Sequence, residues 1–205
     1  MLIFWKEKLV LLATPKTGST ALEQSLSGFA DIAFRNPPRL KHITARNFRK
    51  NYAKLFLPSD ARGFELVALM REPLSWLGSW YRYRSRDALL GHPNSTREIS
   101  FEKFVKDYMS PSRPAYSDIG SQHKFLTGQS GQTLVDHIFD YARMDQAAAF
   151  LENRLCLNLA LPELNISPKS DLILPAEIEN EYRKTYAADF SLYSEVRTAA
   201  VGRDT

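Results

Sequence analysis

Sulfur chemistry is almost missing from this chain, since only one of its 205 residues, Cys156, is a cysteine. A disulfide framework is thereby excluded, and so is a thiolate metal cluster. Cys156 sits in the apolar helical stretch from Phe150 to Leu157, which predicts a buried structural thiol. Long hydrophobic runs are absent too, and no stretch approaches the length of a membrane span. The segment Met1 to Lys6 has neither the basic region, the apolar run nor the cleavage site of a signal peptide. These absences lead to the expectation of a cytoplasmic protein with no membrane partner. There is no internal repeat and no low-complexity tract, so residues 1–205 are read as a single domain.

What is present suits a full hydrophobic core: 44% of the residues are hydrophobic and 24% are charged. The formal net charge of +4 favours an anionic ligand, although an ordinary basic surface has the same sum.

Two βα units stand out. The first runs from the apolar residues 9–14 through Pro15-Lys16-Thr17-Gly18-Ser19-Thr20 into a helix predicted over 19–28. A Walker loop places Gly-Lys-Ser/Thr at its end, whereas here Lys16 precedes Gly18, the only glycine of the loop. The loop is therefore short. Its donors are Lys16, the N–H groups around 17–20 and the Ser19 and Thr20 hydroxyls, which suits one compact anion at a helix N-terminus. The second unit runs from the apolar residues 65–70 through Arg71-Glu72-Pro73 into a helix predicted over 74–86. Arg71 leaves a strand end, where open α/β sheets bind ligands. Ser79 lies about two turns along the helix and can share a ligand with Arg71 only if the loop folds back over the helix face.

Elsewhere the pattern predicts helices over 45–56, 101–109, 117–126, 144–157, 175–188 and 189–200, and a third strand over 135–141. The fold expected is three-layer α/β with a central parallel sheet flanked by helices. Trp76, Trp80 and Tyr83 share a helical face and are expected in the core rather than stacked on bases, so no nucleic-acid partner is expected. Gln122-His123-Lys124-Phe125-Leu126 is a candidate lining for a substrate cleft.

Taken together, the two junctions resemble the sulfotransferase superfamily, especially its carbohydrate branch. The match is residue by residue for Pro15, Lys16, Thr17, Ser19 and Thr20, then for Arg71, Pro73 and Ser79, with Tyr81 on the family's tyrosine. Weaker likeness extends to 136–141, Leu161 to Ser167, and Tyr186 to Tyr193. The resemblance implies a P-loop-like fold and transfer of a sulfuryl group from 3′-phosphoadenosine 5′-phosphosulfate to a hydroxyl or amine, with a small molecule or carbohydrate as acceptor. It implies that Pro15, Lys16, Thr17, Gly18, Ser19 and Thr20 hold the 5′-phosphosulfate, that Arg71 and Ser79 hold the 3′-phosphate, and that no metal is required.

The chemistry of the residues agrees with this, because positioned cations and N–H donors at a leaving phosphate carry most of such a transfer. Lys16 and His42 are the expected catalytic pair, Lys16 at the leaving group and His42 as general base. Glu65, Asp87, His92 and His123 are lesser candidates for the base. The leading expectation is thus a small bacterial, cytoplasmic sulfotransferase. A P-loop nucleotide kinase or NTPase is the alternative enzyme, disfavoured by the missing Walker order, and a non-catalytic nucleotide-binding module is the third reading.

Overall fold

A computed structural model describes residues 1–53, 63–160 and 172–201. Its centre is a five-stranded sheet made of β1 (Leu2–Phe4), β2 (Leu9–Leu11), β3 (Ile32–Ala33), β4 (Glu65–Met70) and β5 (His137–Asp140). The order across the sheet is β3-β1-β2-β4-β5. β2, β4 and β5 are parallel, with Leu11 opposite Val67 and Met70 opposite Asp140. β1 is antiparallel to both β2 and β3. The sheet is therefore mixed, which corrects the all-parallel expectation. A tight turn over residues 5–8, with Lys8 at φ 53, folds Leu2–Phe4 back on β2 as a hairpin. Three- and two-residue strands carry too little alternation to be read from sequence.

β1, β2 and β4 are buried on both faces, and alternate side chains feed different cores. Val10, Leu12, Leu66, Ala68 and Met70 pack with Phe48, Leu126, Leu192 and Val196. Leu9, Leu11, Val67, Leu69 and Phe139 pack with Leu22, Leu26, Ala147 and Leu151. Helices α1 (Ser19–Leu26) and α7 (Met144–Leu155) thus cover one face. The other is covered by α3 (Ala45–Asn47) with its π-turn (Phe48–Tyr52), α6 (Gln122–Leu126) and α9 (Ala187–Val201). α2 (Pro38–Lys41) follows β3. A satellite core joins α4 (Pro73–Arg84), α5 (Phe101–Met109) and α8 (Ala176–Thr185) through Trp76, Leu77, Phe104, Tyr108, Ile178 and Tyr182.

Several expected elements differ in extent. The helix expected over 117–126 forms only from Gln122, where the Ser121 hydroxyl accepts the Lys124 N–H at 3.2 Å. The helix expected over 45–56 widens into a π-turn after Asn47, and its last residues lie outside the described ones. Cys156 is exposed rather than buried. It is the C-cap of α7 at φ 52, so the helix ends before the thiol can turn toward the core.

Candidate active site

The carboxyl ends of β2, β4 and β5 are adjacent, so the segments that leave them meet at one edge of the sheet. Residues 14–20 leave β2, Arg71 leaves β4 and Tyr141 leaves β5.

The first of these is a concave turn. Lys16 (φ 64) and Gly18 (φ 72) both adopt the left-handed conformation, which turns successive backbone N–H groups toward one side. For a lysine this conformation costs about 1–2 kcal/mol, so the surrounding contacts must impose it. Gly18 is the N-cap of α1, and the N–H groups of Ser19 and Thr20 in its first turn have no intrahelical partner. A Cβ on Gly18 would lie 2.9 Å from both Met144 Cε and Tyr141 Cε2, so the loop is pressed against the segment after β5. Inside the turn, the Thr17 and Ser19 hydroxyls donate to the Thr14 carbonyl at 2.9 and 3.3 Å. The Ser19 hydroxyl therefore braces the loop, leaving backbone N–H as the donor offered there. Thr20 is exposed and its hydroxyl is free to reach a ligand.

The second junction is locked to the first. Trp76 Nε1 donates to the Pro15 carbonyl at 2.8 Å. Glu72 caps α4 by accepting the Ser75 N–H at 2.6 Å. Buried Gln122 pairs with the Arg71 backbone in both directions, accepting its N–H at 2.8 Å and donating to its carbonyl at 2.7 Å. The Arg71 guanidinium then turns back along α4 and donates from Nε to Ser75 Oγ at 2.9 Å. Ser75 and Ser79 are four residues apart and share a helix face. The Arg71 side chain thus meets the helix one turn before Ser79. Ser79 is buried, and its hydroxyl has no hydrogen-bond partner among the described residues.

Positive charge accumulates here, tempered at Arg71 by the neighbouring Glu72 carboxylate. Lys16 Nζ lies 4.2 Å from the centroid of the Tyr83 ring, and Arg86 Cζ lies 3.8 Å from the same centroid. Arg71 Cζ lies 4.7 Å from the centroid of Tyr141. Among the described residues, none of Lys16, Arg71, Arg82 and Arg86 forms an ion pair with a carboxylate. Burial, followed by the positive charges of Arg86, Arg71 and Arg82, lowers the Lys16 pKa from 10.5 to about 8. Burial also lowers Arg71 and Arg82. Among the described residues, the Nε of Arg82 and the fully buried Thr14 hydroxyl have no hydrogen-bond partners. Cations placed together against their own repulsion, beside unsatisfied donors, form a site that gains stability when an anion arrives.

His42 is held at the same edge. Its Nδ1 is 2.7 Å from the carbonyl oxygen of Ala13, just before the loop. A carbonyl can only accept, so Nδ1 carries the proton and Nε2 keeps its lone pair. Burial is the main cause lowering the His42 pKa below 6.5, and the ring is a neutral base at pH 7. The other candidate bases are engaged elsewhere. Glu65 starts β4 at the opposite edge and is bound by Arg154 at 2.6 Å and His137 at 2.8 Å. Asp87 pairs with Arg97, and His92 Nδ1 accepts the Asn94 N–H at 3.1 Å.

The expected core stack divides. Trp76 is buried and Trp80 half-buried, but Tyr83 is exposed and serves as the platform for two cations. The Gln122-His123-Lys124 reading divides too. Gln122 clamps Arg71, while His123 and Lys124 line a separate cavity of about 690 Å³ with Arg113, Ser121, Tyr186 and Asp189. Tyr141 was legible only as a strand end, because no local pattern signals that its ring meets Gly18 and Arg71. The stretch Leu161 to Ser167 lies outside the described residues.

Among the described residues there is no group of three or more His, Cys, Asp or Glu able to hold a metal ion, and no helix long and apolar enough to cross a membrane. Comparison with protein-family models, with curated proteins and with solved structures finds no match to this chain.

Proposed function

We propose that this protein is a sulfotransferase that moves a sulfuryl group from 3′-phosphoadenosine 5′-phosphosulfate to an acceptor hydroxyl or amine, with carbohydrates among the acceptor classes. The observation that carries the reading is the set of cations, Lys16 and Arg71 foremost, brought together from two strand ends and held in no ion pair among the described residues. A donor with anionic groups at two places fits two such junctions better than a single phosphate does. In this reading the mixed sheet with its flanking helices is a P-loop-like, three-layer core with an antiparallel extension.

The turn at 15–20 would hold the 5′-phosphosulfate through backbone N–H groups, the Thr20 hydroxyl and Lys16. Arg71 and Ser79 would hold the 3′-phosphate, which separates this donor from ATP. In the transfer, the acceptor oxygen forms a bond to sulfur as the bond from sulfur to the bridging phosphate oxygen breaks. The electron pair of that bond stays on the departing 3′-phosphoadenosine 5′-phosphate, where Lys16 meets the growing charge. The acceptor proton passes to His42 Nε2.

Calorimetry tests the donor reading. 3′-Phosphoadenosine 5′-phosphate should bind without Mg²⁺, and Arg71→Ala should weaken it about 10- to 100-fold, the value of a charge-assisted contact. Mg²⁺-dependent ATP binding that ignores a 3′-phosphate would replace this reading with an NTPase. Donor binding without sulfate transfer to any member of a panel of sugars, lipids and small alcohols would leave a binding module.

A further inference from the structure

We propose that Arg86, held on the Tyr83 ring beside Lys16, grips the sulfuryl group itself. This rests on the sulfotransferase reading and assigns a residue that the two junction motifs do not contain.

Arg86 is fixed twice to Tyr83: its guanidinium carbon lies 3.8 Å from the ring centroid, and its Nε donates to the Tyr83 carbonyl at 3.0 Å. Lys16 Nζ lies 4.2 Å from the same centroid, so one ring gathers two cations from distant parts of the sequence. Of the three arginines that act on Lys16, Arg86 acts most strongly. The neighbouring acid, Asp87, does not compensate, because it pairs with Arg97.

Position decides which anion Arg86 meets. Arg71 precedes the first turn of α4 and Arg86 follows its last, and a 12-residue helix is roughly 18 Å long. The backbone of Arg86 thus stands at the far end of α4 from that of Arg71, and its side chain is held on the ring that also carries Lys16, so it shares the anion that Lys16 meets. On that side the turn at 15–20 takes the phosphate, and Arg86 is exposed where Lys16 is half-buried. The group facing outward from the phosphate, toward an arriving acceptor, is the sulfuryl group. Arg86 contributes N–H donors to its oxygens and takes part in no bond change.

The experiment compares two probes, 3′-phosphoadenosine 5′-phosphosulfate and 3′-phosphoadenosine 5′-phosphate, which differ only in the sulfuryl group. Calorimetry on Arg86→Ala should show about tenfold weaker binding of the first and less than a twofold change for the second. Arg86→Lys should recover part of the loss. Tyr83→Leu should weaken both probes, because it frees Lys16 as well as Arg86, and the first more than the second; Tyr83→Phe should change neither, because the ring and not the hydroxyl is the platform. Equal losses on both probes would make Arg86 a phosphate contact, and no loss on either would make it a surface arginine; both outcomes overturn the proposal. If the unaltered protein binds neither probe, the sulfotransferase reading falls and the Arg86 assignment falls with it.

Discussion

Raising the pH from 7 to 10 perturbs Lys16 alone among the cations of the site, because its pKa is lowered to about 8 while arginine stays charged. With that value, about 90% of Lys16 is protonated at pH 7, about 10% at pH 9 and about 1% at pH 10. If the ammonium holds the 5′-phosphate, affinity for 3′-phosphoadenosine 5′-phosphate should fall about tenfold from pH 7 to 9 and about another tenfold by pH 10. The ligand adds no titration of its own there, since the second phosphate pKa is about 6. Calorimetry at four pH values measures this, and Lys16→Arg should flatten the profile. The stability of the ligand-free protein should move the other way. The Lys16 pKa is depressed below its ordinary 10.5, so between 8 and 10.5 the unfolded chain binds more protons at this residue. Its contribution to stability consequently rises with pH across the window in which affinity falls. Flat affinity in the unaltered protein, or the same decline in Lys16→Arg, would refute the reasoning.

Four further outcomes are expected. Gly18→Ala should lose about 2–4 kcal/mol in urea unfolding, because it adds left-handed strain to the contacts with Met144 and Tyr141; a loss below about 0.5 kcal/mol would show that the loop yields. His42→Ala should lower turnover on an identified acceptor about 10²- to 10⁴-fold with nucleotide affinity unchanged, and full turnover would remove His42 as the base. For the unaltered protein, on the proposed function, kcat/KM should rise through a pH below 6.5 as His42 loses its proton and fall near pH 8 with Lys16, and an acid limb that survives His42→Ala would contradict this. Glu65→Gln serves as the distant control. It should destabilise the fold, leave nucleotide binding intact and abolish the stability lost as pH falls through the depressed Glu65 pKa, which Arg154 and then His137 hold down.

Much of the architecture was legible locally. Residues 9–14 and 65–70 are apolar runs that end at Pro15 and Arg71, and burial on both faces of a strand demands such runs. Gly18 and Pro73 mark the helix starts that follow, through the left-handed turn of one and the fixed φ of the other. β1 and β3 escaped because their pairing is bought with neighbours rather than with a pattern of their own. Cys156 was misplaced because helical periodicity says nothing about which residue ends the helix in a left-handed cap.

The sequence by itself determined the two basic βα junctions, since each lies in a short segment where an apolar run meets a helix start. Only the tertiary structure decided that Arg71 folds onto the Ser75 and Ser79 face, that Gln122 clamps it, that His42 reaches Ala13, and that Tyr83 gathers Lys16 and Arg86. Those contacts join residues 3 to 67 positions apart, and the packed sheet edge brings the distant ones within reach of one another.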